Sequence, residues 1–237
     1  MLAAIKITDI YNTVHIARAN LHFLDNKDFG DYAKGEKAIK FVKSMHIQNS
    51  LIFYNIAVDY SWQVLWLYYN DALNEFRPTA KLYESAIKDC NYEELLLGLT
   101  LKRDYKMRDH IVKPFFQKTT SYNKIRPMYN YLKHRGSFHF EGLGMNRTHM
   151  MFDFYLNKEK INLPMVSRKE MDVEYTKQML LQFDKDFVAY MSYLIELLIP
   201  KDFTNGSLPL GKMLTFMTNK YAGTPYQGVP ALLIDEQ

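Results

Sequence analysis

The sequence predicts a mostly α-helical fold built around one long central helix. Three observations carry that prediction. From Glu36 to about Asn74 no proline or glycine occurs, and apolar residues recur every three and four positions. Helix-breaking residues fall instead at Pro78, Pro114, Pro127, Gly136 and Pro200, where helical patterns begin or end. Period-two alternation is confined to a small β-hairpin excursion expected near 148–166. No internal repeat or linker divides the chain, so residues 1–237 read as a single helical domain. Its core would lie at about 36–200, with an irregular C-terminal tail over about 201–237.

Taken in order, Ile10, Val14, Leu21 and Leu24 place a first helix after Thr8, ending before "DNKDFGDYAKG". In the central helix, Leu51, Tyr54, Val58, Trp62, Leu65 and Tyr69 form one stripe, widened by Ile52 and Trp66. A stripe that broad belongs to a helix buried on more than one side. It is either one long helix or two joined near Ser44 to Gln48. "KLYESAIKDC" and "YEELLLGLTLKRDYKMRDHIVKPFF" read as two further helices, the second ended or kinked by Pro114. Pro127 suits the first turn of the next helix, which would close at Gly136. Met150, Phe152 and Phe154 then alternate, with "LNKEK" as the turn of the excursion. Ser167 to Glu170 has capping-box spacing before a last long helix that runs through Phe183, Phe187 and Tyr190 to a stop at Pro200.

Composition bounds the function. Cys90 is the only cysteine, which excludes an internal disulfide and a cysteine-rich zinc site. The N-terminus lacks the apolar run of a signal peptide, and charged or amide residues interrupt the most apolar stretches. A reduced, soluble, cytoplasmic protein without membrane association is expected. Net charge is +4, yet residues 102–135 hold ten Lys/Arg against Asp104 and Asp109, leaving the remainder mildly acidic. Such asymmetry suits an anion-facing surface, with Lys102, Arg103, Lys106, Arg108, Lys124 and Lys133 as candidate nucleic-acid contacts. Solvated helix faces would produce the same composition.

The chemistry concentrates in "YNYLKHRGSFHFEGLG", residues 129–144. Asn130 and His134 stand one helical turn apart, Arg126 a turn earlier, and Lys133 and Arg135 on either side of the histidine. An imidazole carries protons near neutral pH, and a guanidinium holds phosphate. RNA cleavage by the adjacent 2′-hydroxyl needs both. His134 reads equally as a helix C-terminal cation that complements the macrodipole before Gly136. His134, His139 and His149 lack a regularly spaced acidic partner, so neither a metal nor a cofactor is expected. Phe115, Phe116, Tyr122, Tyr129 and Tyr131 interleave with the basic residues, as base-stacking platforms or as core. Asp59 and Gln63 share a face of the long helix; a buried Asp59 would need an arginine or lysine from the motif helix, as a supporting pair and not a catalyst.

Arginine, a polar residue after it, then histidine with four to six residues between the arginine and the histidine, is the signature of the HEPN superfamily (higher eukaryotes and prokaryotes nucleotide-binding domains). The run "NYLKHRG" at 130–136, with "YNIAVDYSWQVLW" in the central helix, resembles a stand-alone bacterial branch of it. That resemblance implies an all-α bundle, usually a homodimer. Its members include metal-independent ribonucleases of toxin–antitoxin, abortive-infection and CRISPR systems, and inactive RNA-binding or scaffolding proteins. It implies catalytic roles for His134 and Asn130, with the cation from Arg126 or Arg135, and RNA or an antitoxin-like protein as partner. The motif is degenerate, because Tyr129 stands where the arginine belongs. A second match, Arg103 followed by Asp104 and then His110, has the right spacing. Two functions follow: an RNA-binding or partner-binding domain with weak or lost ribonuclease machinery, or an active metal-independent endoribonuclease.

Overall fold

The computed structural model describes residues 2–69, 80–116, 120–144, 154–156, 159–161 and 168–198. By packing, the chain divides into Met1–Leu194 and Ile195–Gln237. Only residues 195–198 of the second unit are described, so the expected tail lies outside the described residues. The first unit is helical, as its sequence predicts: α1 (Leu2–Phe23), α2 (Glu36–Tyr69), α3 (Ala80–Lys88), α4 (Tyr92–Leu101), α5 (Tyr105–Phe116), α6 (Ser121–Arg135) and α7, which starts at Val173 and ends at Leu198. One antiparallel hairpin, β1 (Phe154–Leu156) and β2 (Glu159–Ile161), occupies the predicted excursion. Its turn is shorter than "LNKEK", because Leu156 pairs directly with Glu159. Met150 and Phe152 fall outside the described residues.

α2 is a single helix of 34 residues, not two. Ser44 and Gln48, where a joint was conceivable, turn their side chains onto the helix's own carbonyls at Phe41 and Ser44. α1 runs antiparallel to it, with Asn20 bonded to His46 at one end and Lys6 over the Tyr60 ring at the other. α6 is also antiparallel to α2, so α1, α2 and α6 form a layer. α7 covers one side of that layer. Arg18 donates to both oxygens of Asp184 at 2.8 and 3.0 Å, and the fully buried Tyr54 hydroxyl donates to the same carboxylate at 2.9 Å. Tyr54 and Tyr122 pack on Phe183, and the Tyr190 hydroxyl lies 3.3 Å from that of Ser61. The buried hydroxyls of Tyr54, Ser61 and Tyr190 therefore all have partners, the condition for burying them at low cost.

Several boundaries differ from expectation. α1 begins at Leu2 and not after Thr8, since Lys6 is buried and paired with Asp9 at 2.9 Å while Thr8 and Thr13 bond back to carbonyls four residues earlier. The segment from Tyr92 to Phe116 is two helices. Asp104 caps the second by accepting from Met107 N and also takes the Tyr69 hydroxyl at 2.5 Å. The corner before it sets Arg103 at φ 59°, where the Asp104 amide closes onto Leu99 O, a geometry usually given to glycine. Pro127 sits inside α6, which starts six residues earlier behind the Thr120 cap. Gly136 ends that helix at φ 99°, as expected. Asp172 caps α7 through Tyr175 N at 2.6 Å; Ser167 of the expected Ser167–Glu170 box lies outside the described residues, and Lys169 and Met171 pair with His139 in a parallel bridge.

Candidate functional site

On α6, Tyr122, Arg126, Tyr129 and Lys133 follow spacings of four, three and four, so they share the face turned toward α2. Arg126 Nη1 donates to Asp59 Oδ1 at 3.2 Å and, more weakly, to Asn55 Oδ1 at 3.5 Å. The guanidinium carbon lies 5.2 Å from the Tyr129 ring centroid and 5.9 Å from that of Tyr122, so two π-faces flank the cation. Burial raises the Asp59 carboxyl above its ordinary value, against the opposing pull of Arg126 and Lys133. Burial, with Asp59 nearby, also pushes the Cys90 thiol up to about 12 and so keeps it protonated and unreactive. The expected pair between Asp59 and a cation of the motif helix is thus present. Asn55 is a participant that the sequence reading missed, and Tyr129, read there as a stacking platform or core residue, flanks Arg126. Asn55, a lone amide within an apolar stripe, was the available signal, since a fully buried amide must find partners.

Arg126 and His134 do not converge. Eight residues apart, they differ by about 12 Å along the helix axis and about 80° around it. Asn130 and His134 are both exposed, one turn apart, and His134 has no hydrogen bond or ion pair among the described residues. Arg135 is exposed as well, next to the Gly136 cap. The Arg103–His110 pair is also separated in role. Arg103 is exposed at the α4–α5 corner, whereas His110 packs between Tyr190 and Tyr193 with centroid distances of 4.9 and 4.7 Å. Its Nε2 donates to the Tyr190 carbonyl at 3.0 Å, and burial lowers its pKa. That is the environment of a structural histidine.

Of the other basic candidates, Lys102, Lys106, Lys124 and Lys133 are exposed, while Arg108 is half-exposed and loosely paired with Asp109 at 3.7 Å. On α6 the cations point in different directions, Lys124 and Arg135 about 180° from Lys133 by helical phase. Tyr122 is 6 % exposed and Tyr131 packs on Phe138 while accepting from Lys169 N, so both serve the core before any base. The side chains of Phe115 and Phe116 lie outside the described residues. A cavity of about 340 Å³ opens beside Lys124, between the start of α6 and α7, walled by Tyr122, Phe183, Phe187 and Tyr190. Among the described residues no group of three or more His, Cys, Asp or Glu is arranged to hold a metal ion, and no helix is long and apolar enough to cross a membrane.

Exposed cations stand at several points around α6, and Arg126 and His134 are not aimed at one phosphate. In comparisons with known proteins, no family model, curated protein or solved structure matches the chain.

Proposed function

We propose that this protein is a HEPN-like helical module that binds single-stranded RNA without cleaving it efficiently. The observation that carries this reading is the Arg126–Asp59 contact. Of the two arginines of the motif helix that could replace the missing motif arginine, Arg135 stands beside the Gly136 cap, while Arg126 is drawn toward α2, away from His134, and Tyr129 holds it there by its ring. A transition state on phosphorus needs the proton carrier and the positive clamp within hydrogen-bond reach of the same group. Arg126 uses a single nitrogen on Asp59 and Asn55, and its remaining N–H groups have no hydrogen-bond partner among the described residues. It is available to a passing phosphate as a binding cation and not as a catalytic one. Lys133 on the same face, with Lys124 and Arg135 on others, extends the contact.

The test is fluorescence anisotropy with a mixed single-stranded RNA pool across a salt series. Affinity should fall with rising salt, and each of Lys124→Gln, Lys133→Gln and Arg126→Gln should reduce the log–log slope by about 0.7. A slope near zero would refute RNA binding. The competing reading, a metal-independent endoribonuclease, draws on one observation: His134 is exposed and unengaged, with Asn130 one turn away. Incubation of the same RNA in EDTA should leave it intact. Cleavage to 2′,3′-cyclic phosphate ends that His134→Ala abolishes would establish the enzyme instead. Copurification of an antitoxin-like partner that blocks such cleavage would support it further.

A further inference from the structure

The corner between α4 and α5 turns apolar side chains outward among cations. Leu101, the last residue of α4, is 74 % exposed; Leu97, one turn before it on the same face, is 53 % exposed, and Tyr105, the first residue of α5, 52 %. Four cations accompany them. Lys102, Arg103 and Lys106 are exposed, and the half-exposed Arg108 sets its guanidinium carbon 5.7 Å from the Tyr105 ring centroid. Between Leu97 and Arg108 the sequence has one acid, Asp104, and its carboxylate is turned into the fold, onto the Tyr69 hydroxyl and Met107 N. The next acid, Asp109, leans on Arg108 at 3.7 Å. The backbone of the corner is closed on itself. Lys102 N donates to Gly98 O, Arg103 N to Thr100 O and Asp104 N to Leu99 O, each at 3.0 Å, and the Thr100 hydroxyl donates to Leu96 O at 2.8 Å. Amides without internal partners keep a segment in water; these three have theirs.

We propose that this corner is a peripheral contact for an anionic lipid surface. Leu101 and Tyr105 enter the headgroup boundary, and Lys102, Arg103, Lys106 and Arg108 lie on the lipid phosphates and carboxylates. Charge alone would suit any polyanion, and the leucines decide between them. Bases stack on aromatic rings and gain nothing comparable from an aliphatic side chain. Acyl chains accept leucine, and tyrosine favours the boundary itself. The shape agrees, because the apolar side chains come from the end of one helix and the start of the next and project outward, where a peptide would call for a groove. The stems of the lysines and arginines can lie along the leucines while their heads reach the phosphates. Depth agrees too. Interfacial segments sink about 5–10 Å. Glu93, exposed on the Leu97–Leu101 face, is two turns from Leu101, about 12 Å along α4, and stays in water. A contact of this depth needs no spanning helix, so the lack of one among the described residues does not bear on it.

This contact does not rest on RNA binding, whose cations lie on α6, and the two are measured separately. The full chain is floated with vesicles of phosphatidylcholine alone, and with vesicles in which one lipid in three is phosphatidylserine. It should float with the second and not the first, and less as salt rises. Leu101→Gln should lower the vesicle partition about tenfold, and Lys102→Gln about fivefold. Both should keep the helical circular dichroism spectrum and the RNA affinity of the parent chain. Leu181→Gln, at an exposed apolar position on α7, should change nothing. No flotation with phosphatidylserine would overturn the proposal, as would flotation indifferent to Leu101→Gln. Loss of RNA affinity in both corner variants, without flotation of the parent, would give the corner to RNA instead. Depth has its own test: in a Cys90→Ser background, an environment-sensitive dye on Leu101→Cys should shift to the blue with phosphatidylserine vesicles, and the same dye on Glu93→Cys should not. Equal shifts at the two positions, or none at Leu101, would overturn the insertion.

Discussion

Two arginine–aspartate pairs join helices of the bundle, Arg18 of α1 to Asp184 of α7 and Arg126 of α6 to Asp59 of α2, and they are built differently. Arg18 meets Asp184 with two nitrogens on two oxygens, and the buried Tyr54 hydroxyl joins the same carboxylate. Hydrogen bonding to Asp184 raises the Arg18 pKa, the sign of an interaction that favours the charged form. Arg126 meets Asp59 through one nitrogen at 3.2 Å, and burial wins over attraction, raising the Asp59 carboxyl. The first pair is a fastening, whose carboxylate takes two guanidinium bonds and the Tyr54 hydroxyl. The second holds its cation through one nitrogen, with the rings of Tyr122 and Tyr129 on either side. The same residue types thus form a two-nitrogen bond shared with a tyrosine on the α7 side of the layer and a one-nitrogen contact between two rings on the α6 side.

That distinction can be broken by mutation. Asp184→Ala should cost the most, about 3 kcal/mol in urea unfolding, because it strands a half-buried guanidinium and the Tyr54 hydroxyl together. Asp59→Asn should cost about 1 kcal/mol or less and should tighten RNA binding by freeing Arg126; equal losses from the two variants would erase the difference. Smaller still, Arg103→Gly should stabilise by about 0.5 kcal/mol, since glycine accepts the positive φ that arginine tolerates poorly. The smallest effect is a pH slope. Burial depresses the folded-state pKa of His110, so the native state binds fewer protons than the unfolded chain just below about pH 6.5. Its contribution is present above that pH and is lost as pH falls toward the depressed folded-state value. His110→Gln should flatten the urea midpoint over that window while leaving RNA affinity unchanged. An equal change in RNA affinity would return His110 to the binding site.

What was legible in the sequence follows from what local chemistry records. α2 and α7 were readable because apolar periodicity sustained over so many turns arises in little besides a buried helix, and Gly136 because a positive φ favours the residue that can adopt it. The corner at Arg103 was hidden, since nothing in "TLKRDYK" lacks helix propensity; Asp104 breaks the helix only because Tyr69 and the next turn both compete for its carboxylate. Pro127 pointed to the wrong turn of α6, as a proline placed inside a helix by tertiary packing looks like one at its start. The Asp59 pairing was deducible from the cost of burying a carboxylate. The different fates of His110 and His134 were not, because both sit in basic helices and only the arrival of α7 encloses the first.

The parallel bridge between His139 and Glu170 has a practical consequence. His139 N donates to Lys169 O and Met171 N to His139 O, both at 2.9 Å, so the chain leaving α6 and the chain entering α7 are stitched together at one point. The chain segment between those stitches, which contains the β1–β2 hairpin, therefore leaves and returns at one place. Closure entropy grows only with the logarithm of loop length, about 0.6 kcal/mol per doubling. The bridge is therefore a ready docking port for protein engineering: a reporter domain whose termini lie side by side can be spliced in there while the helical layer keeps its register.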